Sequence, residues 1–453
     1  MPPATPLLLG LDIGSSHTKA LLLDRAGNEA GSAVVPTPFA TSARGTETTV
    51  AALRGTLGDV LARLGPDRRR IAAIGIAGIA ESGAPLDGTG RPVGPIIAWH
   101  DPRGQDVAAD LEARFGPQLA QCIGQRVRPV SSVAKLGWLI GQGVAGVTRW
   151  LGVPELCLAA LTGTHRTEFS LAARTGCWDV GTGRWLPAVA AAAGFDVGVF
   201  AEVAPAGAPM GHVDREGAAL AGVAPGVPVT LAGHDHLVGA IGAGAGGDDL
   251  ANSVGTAETI LSAWPSRPDV AAVLEAGMAV TVAPGGAGWI VLASVARSGL
   301  ALETVAATLG RSYEILDRAA RTAPLLDAPG LRESLRRRDA PVLPHGADGA
   351  VWRTLLDALA ALCSEAVEQV GALTEAKQRL VVFGGGAISD AWMHAKARHV
   401  RLPVWRTRRQ HLQAVARGSA LMAGVAAGWW AQPGAGPAAA LEPVATGGPG
   451  RRG

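Results

Sequence analysis

Short apolar runs that end in glycine and hydroxyl residues recur along the chain. Runs at 7–11, 20–23 and 30–35, separated by tight turns, predict a meander of three strands. Further apolar runs at 71–77 and 380–383 predict buried strands. Apolar residues at helical spacing predict helices over 46–64, 351–373 and 412–430.

One junction between an apolar run and a packed segment carries a carboxylate. Residues 227–231 predict a buried strand, Gly233-His234-Asp235-His236 a tight turn, and the small apolar residues that follow a helix. Open α/β sheets bind their ligands at the ends of such strands. Asp235 is therefore our candidate for the group that accepts a proton from a substrate hydroxyl.

Two turns between apolar runs combine glycine with hydroxyl residues. The first contains Gly14, Ser15, Ser16 and Thr18, and Ser253-Val254-Gly255-Thr256 repeats its pattern far along the chain. Glycine lets backbone amides face an anion closely, and hydroxyls add donors. The repeat predicts a duplicated fold with a phosphate-facing hairpin in each half, although each turn also fits an ordinary Gly-Ser hairpin. The chain contains no GxxxxGK[ST] motif.

Polar residues at other predicted strand ends suit a small polyhydroxylated ligand. Glu81, Trp99, His100 and Asp101 fall at such ends, where carboxylates bind hydroxyls and an indole face packs on C–H groups. Asp101 also fits a helix cap.

Composition excludes several other classes of protein. A length of 453 residues predicts two domains, and a net charge of +2 gives no argument for a nucleic-acid or membrane partner. Four cysteines without a CxxC pair imply neither a zinc site nor a disulfide framework, which favours the cytoplasm. We expect no signal peptide and no membrane span. A metal site at His234-Asp235-His236 is disfavoured, because a turn there is expected to scatter the two imidazoles.

Five motifs in this order resemble the FGGY family of carbohydrate kinases over residues 7–430. They are Asp12-Ile13-Gly14-Ser15-Ser16, Trp99-His100-Asp101-Pro102-Arg103, Gly233-His234-Asp235, Ser253-Val254-Gly255-Thr256 and Gly384-Gly385-Gly386. The resemblance implies the duplicated ribonuclease H-like fold of actin and Hsp70, with a cleft between two domains. We expect domains over 1–243 and 244–432, and the Ala/Pro/Gly-rich residues 433–453 predict a disordered tail.

The resemblance also assigns roles, with ATP and Mg²⁺ as cofactors and a small sugar or polyol as acceptor. Asp235 matches the general base, and Asp12 with Asp235 the metal site. The acceptor side matches Glu81, Trp99, His100, Asp101, Asp235 and His236. The nucleotide side matches Ser15, Ser16, Thr18, Gly255, Thr256, Gly299, Glu303, Gly385, Gly386 and Asp390.

Several alternatives remain open in the sequence. An actin- or Hsp70-like ATPase would use the same fold without an acceptor, and a sugar-sensing pseudokinase would use it without catalysis. The acceptor is a xylulose-like ketopentose, glycerol, or a tetritol or pentitol, with His236 as a candidate selector. A homodimer is compatible with the sequence, which contains nothing that determines the oligomeric state.

Overall fold

The computed structural model describes residues 5–374, 377–411 and 413–445. Strands of the first half are β1 (Leu7–Ile13), β2 (His17–Leu23), β3 (Glu29–Pro36), β4 (Ala40–Ser42), β5 (Gly45–Thr48), β6 (Ile71–Gly78), β7 (Gly83–Leu86), β8 (Ile96–Ile97), β9 (Arg149–Gly152), β10 (Arg166–Glu168), β11 (Trp178–Asp179), β12 (Arg184–Trp185), β13 (Glu202–Ala204), β14 (Gly211–His212) and β15 (Pro228–His234). Its helices are α1 (Val50–Ala62), α2 (Gln105–Ile123), α3 (Ser132–Gly141), α4 (Val153–Thr162), α5 (Phe169–Ala172), α6 (Pro187–Ala192), α7 (Arg215–Ala221) and α8 (Asp235–Gly242).

The second half begins after α8. Its strands are β16 (Asp249–Val254), β17 (Glu258–Trp264), β18 (Ala279–Val282), β19 (Trp289–Ala296), β20 (Arg379–Phe383), β21 (Val404–Thr407) and β22 (Leu441–Pro443). Its helices are α9 (Val270–Glu275), α10 (Ser298–Leu309), α11 (Tyr313–Ala320), α12 (Leu331–Arg337), α13 (Asp348–Gly371), α14 (Asp390–His399) and α15 (Ala414–Ala426). Within the described ranges, no helix is long and apolar enough to cross a membrane.

The two large sheets repeat one strand order. In the first sheet β3, β2 and β1 form an antiparallel meander, and β6 and then β15 add in parallel next to β1. In the second sheet β19, β17 and β16 form the meander, and β20 and β21 add in parallel next to β16. The predicted duplicated α/β fold is therefore confirmed. In both sheets the turn of the glycine and hydroxyl motif joins the central strand to its antiparallel neighbour.

The two sheets have separate hydrophobic cores. β1 is buried at every residue, as expected for a central strand covered on both faces. One core packs β1, β6 and β15 against α1 and α4, and the other packs β16 and β20 against α13 and α14. Both cores leave the ends of the central strands free to carry polar residues.

The last helix returns to the first sheet. α15 packs on β1, β6, β15 and α8, although its position in the chain falls within the predicted second domain of 244–432. Glycines allow this contact: a Cβ on Gly10 would lie 1.8 Å from the carbonyl oxygen of Ala416, and one on Gly75 would lie 1.9 Å from that of Ser419. The sequence boundary at 243 therefore does not separate the two packing units.

The predicted disordered tail is wrong for residues 433–445. Residues 441–443 form β22, which pairs antiparallel with β21 and extends the second sheet. Arg406 of β21 also binds Glu442, with 2.7 Å between Nε and Oε1. These long-range contacts order a segment whose composition favours disorder; residues 446–453 lie outside the described residues.

We predict that Gly10→Ala destabilises the protein. The added methyl group meets the α15 backbone, which has no flexible side chain to move aside, so the expected loss in the free energy of unfolding is about 1–3 kcal/mol. Chemical denaturation monitored by circular dichroism measures this loss.

Gly55→Ala is the matched control. Gly55 lies exposed in α1, and its Cβ would meet nothing within 4 Å. Alanine should raise helix stability there by roughly 0.5–1 kcal/mol. Equal effects of the two substitutions would contradict the close packing of α15 on β1.

Candidate active site

A cleft of about 1310 Å³ lies between the two sheets. Both glycine and hydroxyl turns open into it, as do the start of α8 and the end of β20. The cleft brings together most of the predicted site residues, which are Asp12, Ser15, Ser16, Glu81, Trp99, Asp235, His236, Gly255, Thr256, Gly299, Glu303, Gly385, Gly386 and Asp390.

Three predicted site residues, Thr18, His100 and Asp101, do not line this cleft. The Thr18 side chain is fully buried, and its hydroxyl is 3.0 Å from that of Thr37. Strand alternation explains this position, because Thr18 follows the exposed His17 in β2 and faces the opposite side.

Asp101 is held by hydrogen bonds outside the cleft. Its carboxylate accepts hydrogen bonds from Arg103 Nε at 2.8 Å and from the Thr46 backbone N–H at 2.7 Å. Burial would raise the pKa of Asp101, but these hydrogen bonds outweigh it and lower the pKa. His100 is exposed, with its ring 5.4 Å from that of Trp99 in an edge-on arrangement. Only Trp99 of this motif faces the cleft.

Asp235 is the first residue of α8, directly after β15. Its side chain is 21% exposed, and its Oδ1 accepts the His236 backbone N–H at 2.7 Å. Burial raises the pKa of Asp235, and the nearby Asp12 carboxylate adds to the rise, while His236 opposes it. A carboxylate with a raised pKa binds a proton more readily, which is the property that a general base needs.

A buried hydrogen-bond network holds the strand end that carries Asp235. Ser170 Oγ accepts the His234 backbone N–H at 2.9 Å and donates to Glu168 Oε2 at 2.5 Å. The other carboxylate oxygen of Glu168 accepts the Gly285 N–H from the second half at 2.9 Å. Gly233 (φ 122°) lies against this pair, since a Cβ there would be 2.6 Å from Ser170 Oγ. The network links the end of β15, next to Asp235, to both halves of the molecule.

Sequence reasoning missed Glu168 and Ser170. Ser170 lies 64 positions before His234 in the chain, and neither residue belongs to a recognisable motif. The only local signal is an acidic side chain in a segment that turns out to be buried. Contacts of this kind depend on the tertiary fold, so the spacing of residues could not predict them.

Asp12 lies at the end of β1 and faces Lys19 of β2 across the first hairpin. The two residues are direct register partners, and Lys19 Nζ is 2.9 Å from Asp12 Oδ2. The Asp12 charge raises the pKa of Lys19. The turn between them is closed by the Gly14 N–H, which donates to the His17 carbonyl at 3.1 Å. Ser15 and Ser16 are thus held at the cleft beside a carboxylate.

The second hairpin is supported by the start of α10. The Gly255 N–H donates to the Ala257 carbonyl at 3.1 Å and closes the turn. Gly299 packs so closely that a Cβ would lie 2.2 Å from the Gly255 carbonyl oxygen. Only glycine is accommodated at this approach, so Gly299 allows α10 to begin directly against the hairpin. Glu303 of α10 also faces the cleft.

His236 links the base segment to the second sheet. Its Nδ1 lies 2.8 Å from the Ser253 hydroxyl of β16. The contact orients the imidazole toward the cleft next to Asp235 and the second hairpin. His236 therefore lines the cleft on the side where the second hairpin begins.

Glu81 lies just after the end of β6. Its backbone is left-handed (φ 63°), which is unusual for a residue other than glycine. Arg174 holds its carboxylate, with 2.7 Å between Nε and Oε1, and also binds Gln125 Oε1 at 2.6 Å. Strained backbones of this kind cluster at ligand sites. Sequence reasoning found Glu81 but missed Arg174 and Gln125, because both are distant in the chain.

The glycine-rich turn after β20 lies against the second hairpin. A Cβ on Gly386 would be 2.4 Å from the Val254 side chain, so the turn packs where a larger residue would not fit. Asp390 follows at the start of α14 and binds Arg406 Nη1 at 2.7 Å. This ion pair fixes the orientation of Asp390 at the edge of the cleft.

The expectation that the turn scatters His234 and His236 is wrong. Candidate ligand atoms of His234, Asp235 and His236 lie within 4.8 Å of one another, because the helix starts immediately after the strand. Burial holds the pKa of His234 well below its usual value, and His236 and Arg174 add to this effect, so the imidazole is neutral. The Nδ1 atom of His236 is hydrogen-bonded to the Ser253 hydroxyl.

Two halves with one repeated strand order, facing a shared cleft across paired glycine and hydroxyl hairpins, define the fold class of actin, Hsp70 and the sugar kinases. The chain belongs to the FGGY family of carbohydrate kinases, since the profile of that family's N-terminal domain matches residues 7–242. The family resemblance predicted from the motifs is therefore confirmed.

Individual relatives agree with this membership. The xylulose kinase of Streptomyces rubiginosus is 28% identical over 415 residues, which cover 87% of this chain and 82% of that protein. The crystal structure of xylulose kinase from Rhodospirillum rubrum superimposes with a TM-score of 0.78 at 24% identity, covering 93% of this chain and 90% of that one. The crystal structure of gluconate kinase from Lactobacillus acidophilus superimposes with a TM-score of 0.80 at 19% identity, covering 97% of this chain and 93% of that one.

Membership determines the class of reaction. FGGY carbohydrate kinases phosphorylate sugars or polyols with ATP, so this chain is an ATP-dependent carbohydrate kinase. The predicted enzyme class and the predicted ATP and sugar or polyol substrates are confirmed at this level.

We predict a pH-dependent effect of Glu168→Gln on stability. Burial raises the pKa of Glu168 from 4.5 to about 7, so the folded state keeps a proton that the unfolded chain loses. The wild type should therefore lose stability between about pH 4.5 and 7, by up to about 1.4 kcal/mol per pH unit. Glutamine does not titrate, so the difference in Tm between variant and wild type should shift in favour of the variant across this window and stay constant above it.

Glu216→Gln provides the control, because the Glu216 side chain is 84% exposed. Its Tm difference from the wild type should not depend on pH. A flat difference for Glu168→Gln as well would contradict the protonated state of the buried network.

Proposed function

We propose that this kinase transfers the γ-phosphoryl group of Mg-ATP to a hydroxyl of a small sugar or polyol, with Asp235 as general base. The position of Asp235 carries this proposal. The residue lies at the mouth of β15 in a cleft that also exposes both phosphate-facing hairpins and Glu81. A hydroxyl bound beside Glu81 would stand between the base and the phosphate.

Two features of the surroundings of Asp235 serve the proton transfer. Its second oxygen remains available toward the cleft while Oδ1 accepts the His236 N–H. The buried Ser170 and Glu168 network fixes the backbone before it, so the carboxylate is held in one orientation. A base of this kind commonly contributes about 10²–10⁴-fold to the rate.

The two hairpins bind and orient the phosphates. Phosphoryl transfer needs in-line alignment and neutralisation of charge on the phosphate oxygens more than covalent help. Ser15 and Ser16 present donors from the first sheet, and Gly255 and Thr256 from the second. Glu303, Gly385, Gly386 and Asp390 line the part of the cleft that receives the rest of the nucleotide. Closure of the two halves would exclude competing water.

Asp12 and Asp235 fit a magnesium ion. Mg²⁺ prefers carboxylate oxygens and water, and the two carboxylates lie close enough that Asp12 raises the pKa of Asp235. Lys19 occupies only one oxygen of Asp12. A bound Mg²⁺ neutralises phosphate charge during transfer. Asp12 would hold it from the first sheet, beside the hairpin that binds the phosphates.

The acceptor lies between Glu81, Trp99 and His236. Glu81 accepts hydrogen bonds from hydroxyls, the Trp99 face packs on C–H groups, and His236 borders the reacting end. A ketopentose is one candidate, since the Streptomyces rubiginosus relative is a xylulose kinase. The same side chains also suit glycerol and a tetritol or pentitol.

We predict that Asp235→Asn folds normally and loses nearly all kinase activity. The amide cannot accept the hydroxyl proton, so kcat should fall by about 10²–10⁴-fold. A coupled assay of acceptor-dependent ADP release over C3 to C6 polyols and ketoses measures this, and it separates a kinase from an acceptor-independent ATPase.

Asp327→Asn is the control for this variant, because Asp327 lies exposed in a loop outside the cleft. It should retain wild-type activity. Retention of more than about a tenth of the wild-type rate by Asp235→Asn, a smaller loss than a general base gives, would refute the assignment.

We further predict that Asp12→Asn raises the Mg²⁺ concentration needed for half-maximal rate. The neutral amide is a weaker ligand for a hard cation, so the requirement should rise by at least about 10-fold, the effect of losing one charged contact of about 1.4 kcal/mol. Titration of Mg²⁺ at fixed ATP tests this, with Asp327→Asn again as control. An unchanged Mg²⁺ requirement would remove Asp12 from the metal site.

A further inference from the structure

Five arginines line the cleft without an ion-pair partner among the described residues, namely Arg318 of α11 and four others. Arg126 and Arg128 follow α2 in the first half, and Arg297 and Arg338 come from the second half. Among the described residues, none of the four forms an ion pair. Arg174, in contrast, is neutralised by Glu81. The proposed function leaves these four arginines, the arginine cluster, without a role.

Three members of the arginine cluster, Arg128, Arg297 and Arg338, affect one another's charge across the cleft. Burial lowers the pKa of Arg128 to about 10, and the charges of Arg174 and Arg338 contribute to the drop. Burial likewise lowers the pKa of Arg338, with Arg297 adding to the effect. Cations from both halves thus converge on one region, and bringing the halves closer raises the cost unless an anion lies between them.

The structure also holds Arg338 in an unusual position. Its backbone is left-handed (φ 64°), a conformation that is costly for a residue with a side chain. Its Nη2 donates to the Ser294 hydroxyl at 2.9 Å, which ties the guanidinium to β19. The remaining donors of this planar group are free to bind a ligand. The left-handed turn ends α12, where the Arg338 backbone N–H donates to the Leu335 and Ser334 carbonyls, and it brings the side chain to the cleft.

The arginine cluster borders the acceptor side of the cleft. The segment that carries Arg128 is tied to Glu81, because the Arg128 backbone N–H donates to Ser131 Oγ at 3.3 Å and the next residue, Ser132, donates from its Oγ to the Glu81 carbonyl at 3.2 Å. The Glu81 charge also acts on the pKa of Arg128. The predicted nucleotide side has its own acidic residues, Glu303 and Asp390.

We propose that the acceptor is a polyhydroxylated compound with a terminal anionic group, which Arg128 and Arg338 bind from opposite sides of the cleft. This inference rests on the proposed function, because it describes the acceptor of that same reaction. A guanidinium binds carboxylate or phosphate through two parallel hydrogen bonds, so a sugar acid and a sugar phosphate share the required chemistry. A neutral polyol would leave the facing cations uncompensated.

Matched acceptor pairs test the proposal. Initial rates of ADP release at fixed Mg-ATP and ionic strength are compared for erythronate with erythritol, xylonate with xylitol and gluconate with glucitol, with xylulose and glycerol as neutral references. We expect kcat/KM for the best anion to exceed that of its neutral partner by about 10- to 100-fold, the effect of one charge-assisted contact. Xylulose 5-phosphate and glycerol 3-phosphate form the phosphate arm, which separates the two anions.

Variants assign the effect to the arginine cluster. Arg128→Gln and Arg338→Gln should each raise KM for the preferred anion by about 10- to 100-fold and leave KM for ATP unchanged. Arg114→Gln on α2 and Arg332→Gln on α12 are matched controls, since both side chains are exposed and outside the cleft. A raised KM for ATP with an unchanged KM for the anion would assign the cluster to the nucleotide and overturn the proposal.

Failure of this inference is distinguishable from failure of the proposed function. Faster turnover of a neutral polyol or ketose than of every anion overturns the inference and leaves the kinase proposal intact. If no compound stimulates ADP release, the kinase proposal fails. Calorimetric binding of the same pairs to wild type and Asp235→Asn then tests whether the arginine cluster binds an anionic group. Equal affinity for the acid and its neutral partner in that measurement overturns the inference as well.

Discussion

Three carboxylates share one cleft, and their mutual repulsion is the constraint that organises the site. Lys19 forms an ion pair with Asp12, and Arg174 forms one with Glu81. Asp235 accepts the backbone N–H of His236. Burial raises the pKa of Asp235, and the charges of Asp12 and Glu81 add to the rise, which suits Asp235 to accept a proton. A divalent cation beside Asp12 would relieve the remaining repulsion.

Rigid support for Asp235 comes from parts of the chain that are far apart. Ser170 and Glu168 hold the end of β15 and connect it to the second half through Gly285. α15 packs on one face of the first sheet, over β1 and β6, where only glycine allows the helix backbone to approach. A helix from the end of the chain thus covers the sheet that carries Asp12 and Asp235. The two halves are joined by packing as well as by chain connectivity.

Some residues lie elsewhere than their motif or composition predicts, for a common physical reason. Thr18 and Asp101 belong to motifs of the site, yet the Thr18 hydroxyl meets that of Thr37 and the Asp101 carboxylate accepts the Thr46 N–H. Residues 441–443 have a composition that favours disorder, and pairing with β21 orders them. In each case a neighbour from another element determined where the residue lies, and a motif or a composition contains no information about that neighbour.

The sequence by itself determined the duplicated α/β fold, the two hairpins, the strand ends with Glu81 and Asp235, and the family. Hydrophobic periodicity and glycine positions are local properties, so they can be read along the chain. Only the tertiary structure decided which polar residues meet. The pairing of Glu81 with Arg174, the support of His234 by Ser170, and the convergence of Arg128 with Arg338 all join residues from separate elements. Such contacts follow from how the elements pack, because a buried polar or charged group is costly unless packing places a hydrogen-bonding or charged partner beside it.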